Sequence, residues 1–140
     1  MPRHPLHPSL VLAVAVGGAV GACARWALES WHPATPDGFP WTTFGINVAG
    51  SVLLALLPAS TWIRRHQVLP PALGTGVLGG FTTLSTFSAE ARALVAGGRT
   101  GLAAAYVVGS VGACLVGVAV VDRLVDRSAR EEFDAEEGDL

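Results

Sequence analysis

Between Gly79 and Ser88 the chain reads GGFTTLSTFS: two glycines, then five hydroxyl residues, Thr82, Thr83, Ser85, Thr86 and Ser88, within seven positions. Such a density of hydroxyl and backbone oxygen can hold ions or water. Two smaller polar sets accompany it. Thr43, Asn47 and Ser51 recur every fourth residue, and so do Tyr106 and Ser110, so each set shares one face of a helix. None of these spacings places a nucleophile beside a base, groups metal ligands or builds a phosphate loop, and the glycines of GVLGG lack a strand before them. The pattern therefore excludes the common enzyme chemistries. The 79–88 stretch also sits inside an apolar run. In lipid its polar groups have no solvent to fall back on, so it must face protein, bound ions or a wet cavity. It is the candidate functional centre.

The elements that must position these residues are membrane spans. Of 140 residues, 51% are hydrophobic and 14% charged, against about 25% charged in an average soluble chain. One domain is the most this length allows. Four stretches carry no Asp, Glu, Lys or Arg: Pro5 to Ala24, Thr42 to Ile63, Gln67 to Ala89 and Thr100 to Val121. Each approaches the ~20 residues of a transmembrane helix. A soluble four-helix bundle would show polar outer faces, and these stretches show none. The spacing predicts a tail over 1–8, spans over about 9–28, 41–63, 68–90 and 100–124, and a charged, partly disordered tail over 125–140. Arg25 follows the first apolar run too closely, and without a clear cleavage site, for that run to be a signal peptide.

Within the spans, Gly17 and Gly21 form a small-residue pattern that lets backbones approach. Gly109, Ala113 and Gly117 form another, read as packing, while Tyr106 and Ser110 serve packing or line a pore. Asn47 either glues two helices, at roughly 0.6–2 kcal/mol, or faces a hydrated path. Pro58 kinks the second span or marks its last turns. Two glycines followed by β-branched threonines favour a break in the third span at mid-depth, where exposed carbonyls can hold ions. Trp26 and Trp31 suit the membrane interface, and Gly97 and Gly98 a turn. Cys23 and Cys114, each beside small residues in an apolar span, read as buried, inert thiols, and the four histidines as surface residues. The net charge of -2 comes from opposed clusters and suggests no nucleic-acid partner. All nine basic residues are arginines. With four spans, Arg3, Arg64, Arg65, Arg123, Arg127 and Arg130 fall on one side and Arg25, Arg92 and Arg99 on the other, which favours cytoplasmic termini in the inner membrane.

Four motifs on four spans, GGAVGACARW at 17–26, TTFGINVAGS at 42–51, GGFTTLSTFS at 79–88 and the Tyr106/Ser110 pair, resemble the CrcB/Fluc family of fluoride channels over about Leu10 to Val121. The resemblance implies an all-α integral membrane fold: four transmembrane helices, the third broken near its middle, paired antiparallel in a dual-topology dimer with two pores. It implies passive fluoride efflux that lowers cytoplasmic fluoride. By motif position the fluoride pore falls on Asn47, Thr43, Phe87, Ser110, Tyr106, Thr83, Ser85, Thr86 and Leu84. A structural Na+ at the dimer centre falls to the backbone carbonyls of Gly79 and Thr82, and the family's vestibule or structural Arg and Glu fall on Arg25 and Glu90.

Fluoride is small and strongly hydrated, so a dry pore must offer donors in place of water, and aromatic ring edges add positive potential. The family places two phenylalanines in the TTxSTxS stretch; the second is Phe87, but the first is Leu84, and Phe81 lies three residues too early to be assumed a substitute. Two partnerships stay open: a homodimer that tolerates leucine, or a dimer with an oppositely oriented paralogue. Two other functions compete: a proton-coupled subunit of the small multidrug type, which lacks the first-span carboxylate it needs, and a non-conducting assembly subunit.

Overall fold

The computed structural model describes residues 7–35 and 38–138, with side chains to residue 126. Of the tail expected over 1–8, only His7 and Pro8 fall within the described residues. Helix α1 spans Pro8–Trp31, with a proline in its first turn, where the missing N–H costs nothing. After a loop, α2 spans Trp41–Leu56. The expected second span of 41–63 is shorter as an α-helix. Pro58 has no N–H to return to Leu54, so the Leu57 N–H takes that carbonyl and a tight 3-10 turn, Leu57–Ala59, ends the helix. The Ser60 side chain then accepts from the Ile63 N–H and starts a short helix, α3, Thr61–Arg65.

The third run comes in pieces: α4 Leu69–Pro71, a wide π-type stretch Ala72–Leu78, α5 Gly79–Phe81, and α6 Leu84–Ala96. The break is real but displaced from the glycine pair. Gly79 and Gly80 are helical, whereas Thr82 and Thr83 are extended, with ψ of 157° and 122°. The cause lies in the threonine side chains. Thr82 Oγ1 donates back to the Leu78 carbonyl at 2.9 Å, and Thr83 Oγ1 accepts from the Thr86 N–H at 3.1 Å as the N-cap of α6.

Helix α6 ends on Gly98, whose φ of +74° is the left-handed conformation a glycine adopts without a side-chain clash, and the Arg99 N–H closes onto the Leu94 carbonyl at 2.8 Å. Helix α7 then spans Thr100–Gly138. The helix therefore continues past 124, the expected end of the fourth span, and residues 125–138, expected to be a partly disordered tail, are helical. Residues 122–138 hold four Glu, three Arg and two Ala, all strong helix formers, and no proline.

Pro8–Trp31, Trp41–Ala59 and Thr100–Asp126 are each long and apolar enough to cross a membrane, and no strand occurs among the described residues. Helix α1 lies along residues 72–81, while α2 and α6 pack on α7. The first of these contacts is backbone on backbone. A side chain at Gly21 would run into the Val77 carbonyl, and one at Gly80 into the Gly18 carbonyl, so the small-residue pattern of the first span serves packing as expected. On α7 the stripe divides: Gly117 sits under the Val52 side chain, but Gly109 faces open space. The buried core is Leu94, Ala103 and Tyr106, with Phe39, Phe44 and Phe87 against it. Outward faces are apolar, with Leu12, Val108, Leu115 and Val116 all exposed, as suits lipid or a second subunit. Cys23 belongs to this outward surface rather than to a buried site, and Cys114 is half-buried. His7, His32 and His66 are exposed.

Candidate functional site

The site begins with the hydrogen bonds that the break redirects. In an unbroken helix the Gly79, Gly80, Phe81 and Thr82 carbonyls would accept from the N–H groups four residues on. Instead, the Thr83 N–H donates to Asn47 Oδ1 at 2.9 Å, and the Thr86 N–H goes to Thr83 Oγ1. Gly79 and Thr82 thereby lose their helical donors. The Gly80 carbonyl accepts from Arg25 Nε at 3.3 Å. Asn47 closes a second bond, Nδ2 to the Thr83 carbonyl at 3.0 Å, so one side-chain amide holds both backbone groups of the residue at the break. Helix α2 presents it there because Gly50, one turn away, lets Thr82 pack against its backbone.

One turn earlier on the same face, Thr43 is fully buried and donates to Glu90 Oε1 at 2.9 Å. Tyr106, also fully buried, donates to Glu90 Oε2 at 2.7 Å. The Glu90 carboxylate of α6 thus joins α2 to α7 through two hydroxyl donors. Around it the aromatic rings of Phe39 and Phe87 lie 5.3 and 4.9 Å from the Tyr106 ring, Phe39 edge-on. Phe39, in the loop before α2, is part of this cluster; beyond its aromatic type, the sequence carried no signal that singled it out.

A groove of about 390 Å³ opens beside the break. Asn47, Gly79, Thr82, Thr83, Leu84, Phe87 and Ser110 all line it, so most of the residues singled out by motif lie along one surface. Ser51, the third member of the polar face of α2, and Cys114 line it as well. Ser110 is the donor left over: its Oγ is buried without a hydrogen-bond partner. Thr43, Tyr106 and Glu90 are not in the groove wall but behind it, in the hydroxyl–carboxylate cluster. Ser85 and Thr86 surround the Thr83 hydroxyl, at 3.2 and 3.1 Å. Leu84 is 76% exposed at the groove's edge. Phe81 lines a different groove, with Leu28, His32 and Trp41, which keeps it apart from Leu84 and Phe87.

The arrangement offers hydroxyl and amide groups on an otherwise apolar wall, and Gly79 and Thr82, whose carbonyls are released, line the same groove. It brings no fixed charge into the wall. A family model described as CrcB-like protein, Camphor Resistance (CrcB), matches residues 12–121. The chain belongs to this family. It is 41% identical over 117 residues to the fluoride-specific ion channel FluC 2 of Nocardia farcinica, an alignment covering 81% of this chain and 83% of that protein. To FluC 1 of Streptomyces coelicolor it is 43% identical over 111 residues, 78% of this chain and 72% of the relative. To FluC 1 of Mycobacterium bovis it is 40% identical over 135 residues, 91% of this chain and 96% of the relative.

Proposed function

We infer that the chain is a subunit of a fluoride-specific channel through which fluoride leaves the cytoplasm passively. The relatives named as fluoride-specific channels align over most of both chains. The observation that carries the reading at the site is Ser110: a buried hydroxyl with no partner, on the same apolar groove as Asn47. Fluoride needs donors to replace its water, and it leaves again only if no fixed positive charge traps it. Ser110 Oγ and the second Asn47 Nδ2 proton meet both conditions, with Phe87 beside them. Thr43 and Tyr106 take part through Glu90, which sets their hydroxyls and draws the Tyr106 ring against Phe87.

The groove is one-sided, and Gly79 and Leu84 on its border are exposed. A second subunit closes it in this reading: an antiparallel dimer of four-span subunits in the cytoplasmic membrane, termini in the cytoplasm as the arginine distribution favours. The released carbonyls of Gly79 and Thr82 are the pair assigned to a central sodium ion, and two copies supply four oxygens. Leu84 favours a paralogous partner that brings the second phenylalanine, with a homodimer as the alternative.

Purified chain in liposomes loaded with fluoride tests this. Efflux down the gradient, independent of a proton gradient, is the expected result, and Asn47→Asp, which adds a negative charge to the groove and loses the donor to the Thr83 carbonyl, is expected to suppress it. Absence of fluoride efflux both alone and with a paralogue overturns the reading.

A further inference from the structure

The Arg25 side chain does something at the break that family position does not explain. Gly18, Gly21 and Arg25 share one face of α1, and the first two bring that face into backbone contact with residues 77–81. Arg25 is the next turn along, so its Nε reaches the Gly80 carbonyl. That carbonyl lost the Leu84 N–H when the chain left the helix. An arginine N–H in its place is a charge-assisted bond that also points the carbonyl towards α1. On either side of it, Gly79 and Thr82 keep theirs unclaimed by helix donors. The guanidinium is in turn held by Glu29, one turn on, with Nη1 3.5 Å from Oε2, and both side chains are about three-quarters covered, at 26% exposed. Glu29 Oε1 is buried with no other partner. Its carboxylate offsets the positive charge that Arg25 would otherwise hold close to a cation site, where partial burial strengthens the repulsion.

We propose that Arg25 is a positioning residue for the broken span: by holding the Gly80 carbonyl it leaves the Gly79 and Thr82 carbonyls to a cation, with Glu29 keeping the support electrically neutral. The proposal rests on the sodium assignment made above and adds the residues that shape it.

The test uses full-length protein in detergent, with thermal unfolding followed as NaCl replaces N-methylglucamine chloride at constant ionic strength. Arg25→Gln, made together with Glu29→Gln so that no uncompensated carboxylate is left to attract the cation, is expected to raise the sodium concentration for half-maximal stabilisation by about tenfold, the size of one lost charge-assisted bond. A general loss of Tm at an unchanged sodium midpoint describes a merely structural arginine and overturns the proposal. Glu29→Gln alone is the second variant, for the case in which the double variant does not fold. Its midpoint is expected to rise as well, because the uncompensated guanidinium repels the cation, and an unchanged midpoint overturns the proposal. Wild-type protein that conducts fluoride but is not stabilised by sodium defeats the sodium assignment, and the proposal with it. Wild-type protein that is stabilised by sodium but conducts no fluoride defeats the channel reading and leaves the midpoints to decide the role of Arg25.

Discussion

Asn47 and Ser110 face the same groove but stand in opposite hydrogen-bond states, and their substitutions should separate accordingly. Asn47 spends two bonds on the backbone of Thr83. Asn47→Ala leaves a buried N–H and carbonyl without them, at a cost of about 1–3 kcal/mol per unsatisfied group, so a marked fall in Tm and in fluoride flux is expected together. Ser110 bonds nothing. Ser110→Ala should therefore leave the Tm nearly unchanged and lower the flux on its own, because it removes a donor the fold does not use. Thr43→Val gives the opposite balance. It strips one of the two hydroxyl donors from Glu90, and its first effect is expected on thermal stability, by about 1–3 kcal/mol. Melting curves and liposome efflux on the three variants check all of this. A Ser110→Ala protein with wild-type flux would remove Ser110 from the ion path.

At the scale of elements, the α1 contact with the broken span is where the fold tolerates least. Gly21 meets the Val77 carbonyl so closely that a single added methyl has no room, and the obstacle is backbone rather than a side chain that can rotate. Gly21→Ala is expected to cost roughly 1–3 kcal/mol through overpacking. Gly109→Ala, with open space around it in the subunit, should cost nothing within the subunit. Comparing the Tm of the two checks the contact. Much of this level was legible beforehand: charge-free stretches gave the three helices long and apolar enough to cross a membrane, glycine spacing gave the α1 contact, and Gly97–Gly98 gave the turn. What was not legible follows from side chains acting on backbone. Thr82 and Thr83 moved the break past the glycines by bonding their own chain, and Glu90 drew in the Thr43 and Tyr106 hydroxyls from elements far apart in sequence. The continuation of α7 past residue 124 was missed for another reason. Charge density was read as disorder where helix propensity prevailed.

For the whole molecule, the one-sided groove is the surface that the proposed second subunit would cover, and Leu84 marks where that cover would count most. It is the first residue of α6, 76% exposed at the border of the groove, with Phe87 one turn further along the same wall. Leucine offers an anion no positive ring edge, whereas phenylalanine in its place would add one beside Phe87. In a symmetric dimer the change enters both pores; in a dimer with a paralogue it enters the position the partner already compensates. Leu84→Phe in the chain expressed alone is therefore expected to raise fluoride efflux several-fold, on the order of 1 kcal/mol of added anion stabilisation. Its effect on stability should be small, since an exposed side chain is exchanged for another apolar one. Efflux from liposomes containing only the variant, set against wild type at equal protein density, is the measurement. Efflux already robust in the wild type and unmoved by the ring would mean that Leu84 is no deficit, and that two copies of this chain suffice.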